Sequence, residues 1–229
     1  MSVRSPTLQI SAYEAIRQAL VAGRFKPGEA ISVRLLCETL KLRTMPAREG
    51  VQRLIAEHAL EFSPNKTVRV PVHSFAEFTQ LLEICGQLEA LAMRKAAGLR
   101  TTADIANAKR NLAEFRAAVR QRDARLVLKT NADFWFCLYA MSKSEPLCDL
   151  IGSTWLRIGP VLQLPYRHDA GIAVGQPLSF NDANHDRRLT ALVAAIEQGE
   201  ARRAESITRK FVEQVLHWFR RNSGSFRLE

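Results

Sequence analysis

Apolar residues recur at helical spacing through residues 8–22, LQISAYEAIRQALVA, where Ile10, Tyr13, Ile16, Ala19 and Leu20 share a face. Gly23 ends that run, and Lys26-Pro27-Gly28 predicts a turn. Ser32 is placed to cap a second helix over roughly 33–41, with Leu35, Leu36 and Leu40 inward. A third helix follows Thr44, tolerates Pro46 in its first turn, and buries Val51, Leu54 and Ile55. Arg48, Gln52 and Arg53 lie off that stripe, facing solvent or a ligand. Two short helices joined by a tight connection, the second studded with Arg, have the layout of a helix-turn-helix that reads DNA.

After Leu60 the period shortens. In LEFSPNKTVRVPV a Ser-Pro-Asn-Lys turn separates two extended runs, and Val68, Val70 and Val72 alternate. Three helices and a hairpin predict a winged helix, with Lys66 and Arg69 on or beside the wing, near phosphates. From Ser74 the pattern is helical throughout. Ser74-Phe75-Ala76-Glu77 reads as a capping box. Helices are expected near 75–98, 102–121, 124–142, 145–164, 180–198 and 200–221, with Thr101 or Thr102 capping the second. Ser179-Phe180-Asn181-Asp182 resembles another capping box. Residues 165–178, with two Gly and two Pro, form an irregular link, and the tail NSGSFRLE is expected to fray. The fold class is therefore mainly α: a winged helix-turn-helix over 1–73 and an all-helical bundle of six to seven helices over 74–229.

Charge sharpens this division. The 229 residues carry 33 Lys+Arg against 23 Asp+Glu, a net charge of +10. Such an excess favours a polyanionic partner. Residues 1–73 hold 11 Lys+Arg and 6 Asp+Glu, and residues 74–229 hold 22 and 17, so each part carries +5. The shorter first part has about twice the charge density, which places DNA contact there. No run of 18 apolar residues occurs, so no membrane span is expected. The N-terminus lacks an apolar signal region, and Cys37, Cys85, Cys137 and Cys148 show no CxxC spacing. They read as buried thiols in a reducing cytoplasm.

A winged helix followed by about 150 helical residues resembles the GntR family of bacterial transcription regulators, in the subfamily with the fatty-acid-regulator-type (FCD) helical domain. The resemblance rests on Gly23…Pro27-Gly28, Leu36…Leu40, Pro46-Ala47-Arg48-Glu49…Leu54, Leu88-Glu89, Leu138…Ser142…Leu147 and Ala195-Ile196…Gly199-Glu200…Ala204. No single motif decides it; their order and spacing do. Family members read operators with one Arg in the second helix and two early in the third. Arg34 matches the first position and Arg48 the last. The middle position here is Thr44, with Arg43 one residue earlier, where it covers part of the lost contact. The family's wing turns on Gly; here Lys66-Thr67 stands there. Thr resists positive φ, so a differently shaped tip is expected. Glu49 is expected to hold an Arg rather than read a base, and His58 and His73 to be surface or junction residues.

In many relatives the helical domain holds a divalent metal between an Asp and a His one turn apart and one His from each of two later helices. The corresponding positions here are Asn131, Trp135, Leu189 and Phe211, so no metal and no other cofactor is expected. His185 lies one turn before Leu189 on the same face. Trp135, Leu189 and Phe211 either line a hydrophobic effector pocket, with Asn131 and His185 as polar anchors, or fill the space themselves. An Arg that many relatives carry before the Leu-Glu pair is Cys85 here, which argues against a small carboxylate bound in the family's manner. The effector implied is small and apolar or amphipathic.

The leading reading is a cytoplasmic homodimer on double-stranded operator DNA, repressing a metabolic operon under effector control, since two-fold symmetry matches a palindrome. An enzyme is disfavoured: no nucleophile–base pair, phosphate loop or metal cluster stands out. The alternative is a helical ligand-sensing or interaction protein with a weakened DNA-binding arm.

Overall fold

The computed structural model describes residues 6–162 and 183–222. It divides into two compact units, one holding the chain to His73 with Trp155–Leu162, the other Ser74–Thr154 with the remainder.

The first unit opens with α1 (Pro6–Val21), whose Tyr13, Ile16, Ala19 and Leu20 are buried as their spacing requires. Helix α2 (Val33–Leu40) is capped by Ser32, whose Oγ accepts from the Leu35 amide at 3.0 Å. It ends at Lys41 in the left-handed conformation, with the Lys41 amide donating to the Cys37 carbonyl. Helix α3 (Thr44–Ala56) follows after three residues and buries Ala47, Gly50, Val51 and Leu54. Gly50 is set by packing: a Cβ there would stand 3.2 Å from the Tyr13 Cα on α1. Leu36 is fully buried, whereas Leu35, Leu40 and Ile55 are only partly so.

The hairpin pairs β1 (Glu61–Phe62) antiparallel to β2 (Val68–Arg69), in register Glu61↔Arg69 and Phe62↔Val68. A third extended segment joins it. Gly28 and Ile31 donate to the carbonyls of Val70 and Val68, and Val70 donates to Glu29. The sequence pattern shows only a turn at Pro27-Gly28; the pairing of 28–31 follows from tertiary contact, with Phe25, Ile31, Leu60 and Val70 buried beneath. At the wing tip Lys66, not Thr67, takes the positive φ of 58°. The Lys66 amide donates to the Ser63 carbonyl, and Ser63 N–H donates back across the strands to the Thr67 carbonyl. This is a type I turn followed by a left-handed residue, and it leaves Thr67 extended.

The second unit is a helical bundle. Helix α4 (Phe75–Leu99) starts at the anticipated capping box: Glu77 N–H donates to Ser74 Oγ, and Ser74 N–H to the Glu77 carboxylate. Helix α5 (Thr102–Gln121) begins with a second capping box, Thr101 and Asp104. Lys143 also reaches Asp104, at 3.0 Å. The Thr101 amide and then Lys143 hold the Asp104 carboxyl below its ordinary pKa. Helices α6 (Ala124–Ala140), α7 (Glu145–Leu162, whose residues from Trp155 belong to the first unit), α8 (Ala183–Gln198) and α9 (Ala201–Asn222) follow. Helix α4 packs on α9, α6 and α8, and α5 packs on α6 and α8. The core is aromatic and small-residue rich: the Phe78 and Phe219 rings meet edge to face at 4.7 Å, and Gly86 gives way to Val212, whose Cγ1 would lie 2.7 Å from any Cβ. The expected link over 165–178, the capping residues at 179–182 and the frayed tail lie outside the described residues.

Candidate nucleic-acid interface and effector-domain cluster

The short connection between α2 and α3 exposes the first turn of α3. Arg43 is its N-cap residue, extended at φ −82° and making no side-chain cap. Thr44, Met45 and Arg48 are exposed, and Met45 keeps 51% of its surface open. Thr44, Arg48 and Gln52 follow at four-residue intervals and therefore share one exposed face, about a quarter turn round the helix from the buried Ala47, Val51 and Leu54. Among the described residues Arg43, Arg48 and Lys66 form no ion pair. Arg34 is 87% exposed, and its Nε donates to Glu38 Oε1 at 2.8 Å, one turn along α2. An exposed pair of this kind contributes only about 0.3–0.5 kcal/mol, so a phosphate or guanine can displace it.

Two arginines anticipated as free are engaged. Arg53 donates to Glu57 at 3.0 Å and lies 3.8 Å over the Tyr13 ring, while the Tyr13 hydroxyl donates to Glu57 at 2.7 Å. Arg53 thus ties α3 to α1. Burial, followed by the bond to Glu57, pushes the Tyr13 phenol up to about 12. Arg69 donates to Glu61 at 2.7 Å across the paired strands. Of the two wing cations expected near phosphates, Lys66 projects unpaired from the tip and Arg69 is held on the sheet. Met45 carries no motif of its own; only its place between Thr44 and Arg48 draws attention to it.

The effector-domain residues assemble around Trp135. Its indole N–H donates to Asn131 Oδ1 at 3.2 Å, one turn back on α6. Its ring lies 5.0 Å from Phe211 on α9. Phe211 lies 5.6 Å from the His185 ring on α8, and His185 lies 6.1 Å from Phe115 on α5. Trp135 also stacks on Tyr139 at 6.2 Å. Leu189, one turn beyond His185, is buried. Cys85 reaches the cluster indirectly: its thiol donates to Glu89 at 3.5 Å, and the Tyr139 hydroxyl donates to the same carboxylate oxygen at 2.6 Å. Burial, then the nearby Glu89 charge, pushes the Cys85 thiol well above its ordinary pKa. Glu89 is only 6% exposed. The sequence marks it as one of the Leu-Glu pair, but no local signal gives its link to Tyr139, fifty positions away. On the outer edge Arg116 of α5 grips Asp186 of α8 at 2.5 and 3.0 Å and Thr190 at 2.7 Å. Among the described residues, no group of three or more His, Cys, Asp or Glu side chains could hold a metal ion.

The family profile described as bacterial regulatory proteins, gntR family, matches residues 8–70, and the FCD domain profile matches residues 80–214. The chain belongs to the GntR family. Its effector part is an FCD domain, and the family makes it a DNA-binding transcription regulator. Among curated relatives, the HTH-type transcriptional regulator McbR of Escherichia coli K12 is 28% identical over 162 residues, 71% of this chain and 72% of that protein. The Nta operon transcriptional regulator of Aminobacter aminovorans is 31% identical over 138 residues, 60% of this chain and 65% of that protein. The solved structure of E. coli McbR/YncC superposes with a TM-score of 0.82 at 22% identity, covering 97% of this chain and 100% of that one. A putative GntR transcriptional regulator from Rhodococcus sp. RHA1 superposes at 0.71 and 19% identity, over 96% and 100% of the two chains. These superpositions place the mainly helical architecture, with its two-stranded wing, in the GntR/FCD fold.

Proposed function

We propose that this GntR-family regulator acts in the cytoplasm as a homodimeric repressor of a metabolic operon, without catalytic activity. The observation that carries the DNA-reading assignment is the exposed Arg48 on the same face of α3 as Thr44 and Gln52. That face enters the major groove. Arg48 presents its fork to guanine O6 and N7, and Gln52 is the residue type that pairs with adenine N6 and N7. Thr44 makes a shorter, weaker contact than the Arg it replaces. Arg43, Arg34 and Lys66 contact phosphates or flanking bases.

The effector is a small apolar or amphipathic molecule held at Trp135, Phe211 and Leu189, with Asn131 and His185 as polar anchors and Cys85 on the margin. The rings of Trp135 and Phe211 are in mutual contact, so an effector enters by parting them. It thereby shifts α6 against α9, and the differential affinity for the two arrangements is what couples effector to operator.

The experiment is selection of genomic fragments with the full chain, then fluorescence anisotropy on the winning fragment. Arg48→Ala removes one bidentate contact per protomer, about 1–3 kcal/mol each. The expected loss in a dimer is roughly 30-fold or more, with weak binding to random DNA retained. A variant that keeps the same fragment preference and affinity would exclude Arg48 as a reader. For the effector, the probe is a homologous series of straight-chain alcohols, read by the saturable shift of Trp135 emission against a Trp135→Phe control; a shift that persists in the control would place the site elsewhere.

A further inference from the structure

Helix α3 carries one large apolar side chain where the fold leaves it open. Among the described residues of the first unit, Met45 and Phe62 are the large apolar side chains left exposed, Met45 at 51%. At about 100° of rotation per residue, Met45 points about 180° from Leu54 and about 160° from Ala47, and both of those are fully buried. Met45 therefore lies at the middle of the exposed face. Arg48 and Gln52 flank it on one side, and Glu49 and Arg53 on the other. Neither burial nor helix formation calls for Met at this place, since Gln, Lys and Glu form helices nearly as well.

The polar side chains beside Met45 suit the hydrogen-bonding edges of bases. Arg pairs with guanine and Gln with adenine. Neither detects the 5-methyl group of thymine, the apolar feature of the major-groove edge. An unbranched thioether with three rotatable bonds can reach such a methyl group and mould to it. Met45 precedes Arg48 by three residues, about 4.5 Å along the helix axis, which is close to one base-pair step of about 3.4 Å.

We propose that Met45 is a specificity-determining residue of the reading face, and that it packs on the 5-methyl group of a thymine one or two base pairs from the base that faces Arg48. The inference rests on the reading that this face of α3 enters the major groove, and it adds an apolar contact to the polar ones. Taking one methyl group out of water strengthens binding about fourfold at each half-site, and about 15-fold for the two half-sites of a dimer.

The test uses the full chain and the genomic fragment that it selects. Each thymine of that fragment is replaced in turn by deoxyuridine, which pairs as thymine does and lacks the methyl group alone. Wild-type affinity, read by anisotropy, is expected to fall about fourfold at one position in each half-site. Met45→Gln keeps the length of the side chain and the helix propensity, and unchanged thermal unfolding checks that it folds. It is expected to bind the unmodified fragment about 15-fold more weakly than wild type, and to lose nothing further when the sensitive thymine becomes deoxyuridine. A fragment on which no methyl removal weakens wild-type binding would overturn the proposal. So would a deoxyuridine loss as large in Met45→Gln as in the wild type. Arg48→Ala separates this contact from the reading beneath it: lost fragment preference in Arg48→Ala, with no methyl effect in the wild type, overturns the Met45 contact alone. A wild type that selects no fragment over random DNA overturns both.

Discussion

Replacing Lys66 with glycine should move wing stability and DNA affinity in opposite directions. Lys66 sits at φ 58°, held there by its amide bond to Ser63 and by the return bond from Ser63 to Thr67. A left-handed L-residue costs about 1–2 kcal/mol. Glycine relieves that strain but gives back about 0.5–1 kcal/mol in unfolded-chain entropy. The net expectation is a wing more stable by about 0.5–1 kcal/mol, a two- to fivefold slower opening-limited exchange. Hydrogen exchange at the Ser63 and Val70 amides reads this directly. The same change deletes one exposed cation per protomer. Each phosphate contact contributes about 0.9 to the slope of log K against log salt, so the dimer's slope should fall by roughly 1.8. Lys66→Ala is the control: it loses the same slope but keeps the strain, so its exchange should not slow. An unchanged salt slope in Lys66→Gly would refute a phosphate contact. Unchanged exchange would refute the claim that the left-handed residue strains the wing.

The Tyr13 phenol holds its proton up to about 12 against an ordinary value near 10. A pKa raised on folding contributes stability below pH 10 that is lost as pH rises from 10 towards 12. Tyr13→Phe should therefore flatten the alkaline limb of a urea-denaturation series, while losing about 0.5–1.5 kcal/mol at neutral pH with the hydroxyl's bond to Glu57. Trp135→Ala should destabilise the effector unit by about 3–5 kcal/mol, measured by urea denaturation, and added indole should restore part of the loss by filling the cavity. Glu38→Ala should change stability by no more than about 0.5 kcal/mol, and operator affinity by anisotropy should hold or rise, because it releases Arg34 from an exposed pair.

Most of the architecture is legible in the sequence because the cues are local. Ser32, Ser74 and Thr101 cap helices where their side chains reach an amide three residues on, and, apart from the start of α8 at the edge of the described residues, the helix ends differ from the expected ones by a residue or two. The hairpin is legible from Pro64-Asn65 and the alternating valines. The extended segment at 28–31 is not, because its partners, Val68 and Val70, lie forty residues away. The candidate site divides the same way. Arg48 is found by its place off the buried stripe of α3, whereas Thr44, and Asn131 with Trp135, are found only as positions that the family resemblance marks. The engagement of Arg53 with Tyr13 and of Tyr139 with Glu89 depends on helices brought together by folding, and single-helix periodicity does not carry it.

Partner strength separates the arginines that the proposed reading sets against DNA from those held within the scaffold. Arg53 is held by a carboxylate and an aromatic face, and Glu57 is itself fixed by the Tyr13 hydroxyl. Removing Arg53 to a phosphate would break its bond to Glu57 and its contact with the Tyr13 ring, and would loosen the packing of α3 on α1. Among the described residues Arg34 pairs with Glu38, in an exposed pair of about the strength that one phosphate contact exceeds, and Arg43, Arg48 and Lys66 have no ion pair to surrender. The cations therefore sort by position: those at the first turns of α2 and α3 and at the wing tip are available, and those at the end of α3 and on the sheet brace the scaffold. With Thr44 standing between Arg43 and Arg48, the available guanidinium groups flank the centre of the reading face instead of filling it. On the proposed reading, the operator bases that face Arg48 and Gln52 lie to one side of the base that faces Thr44.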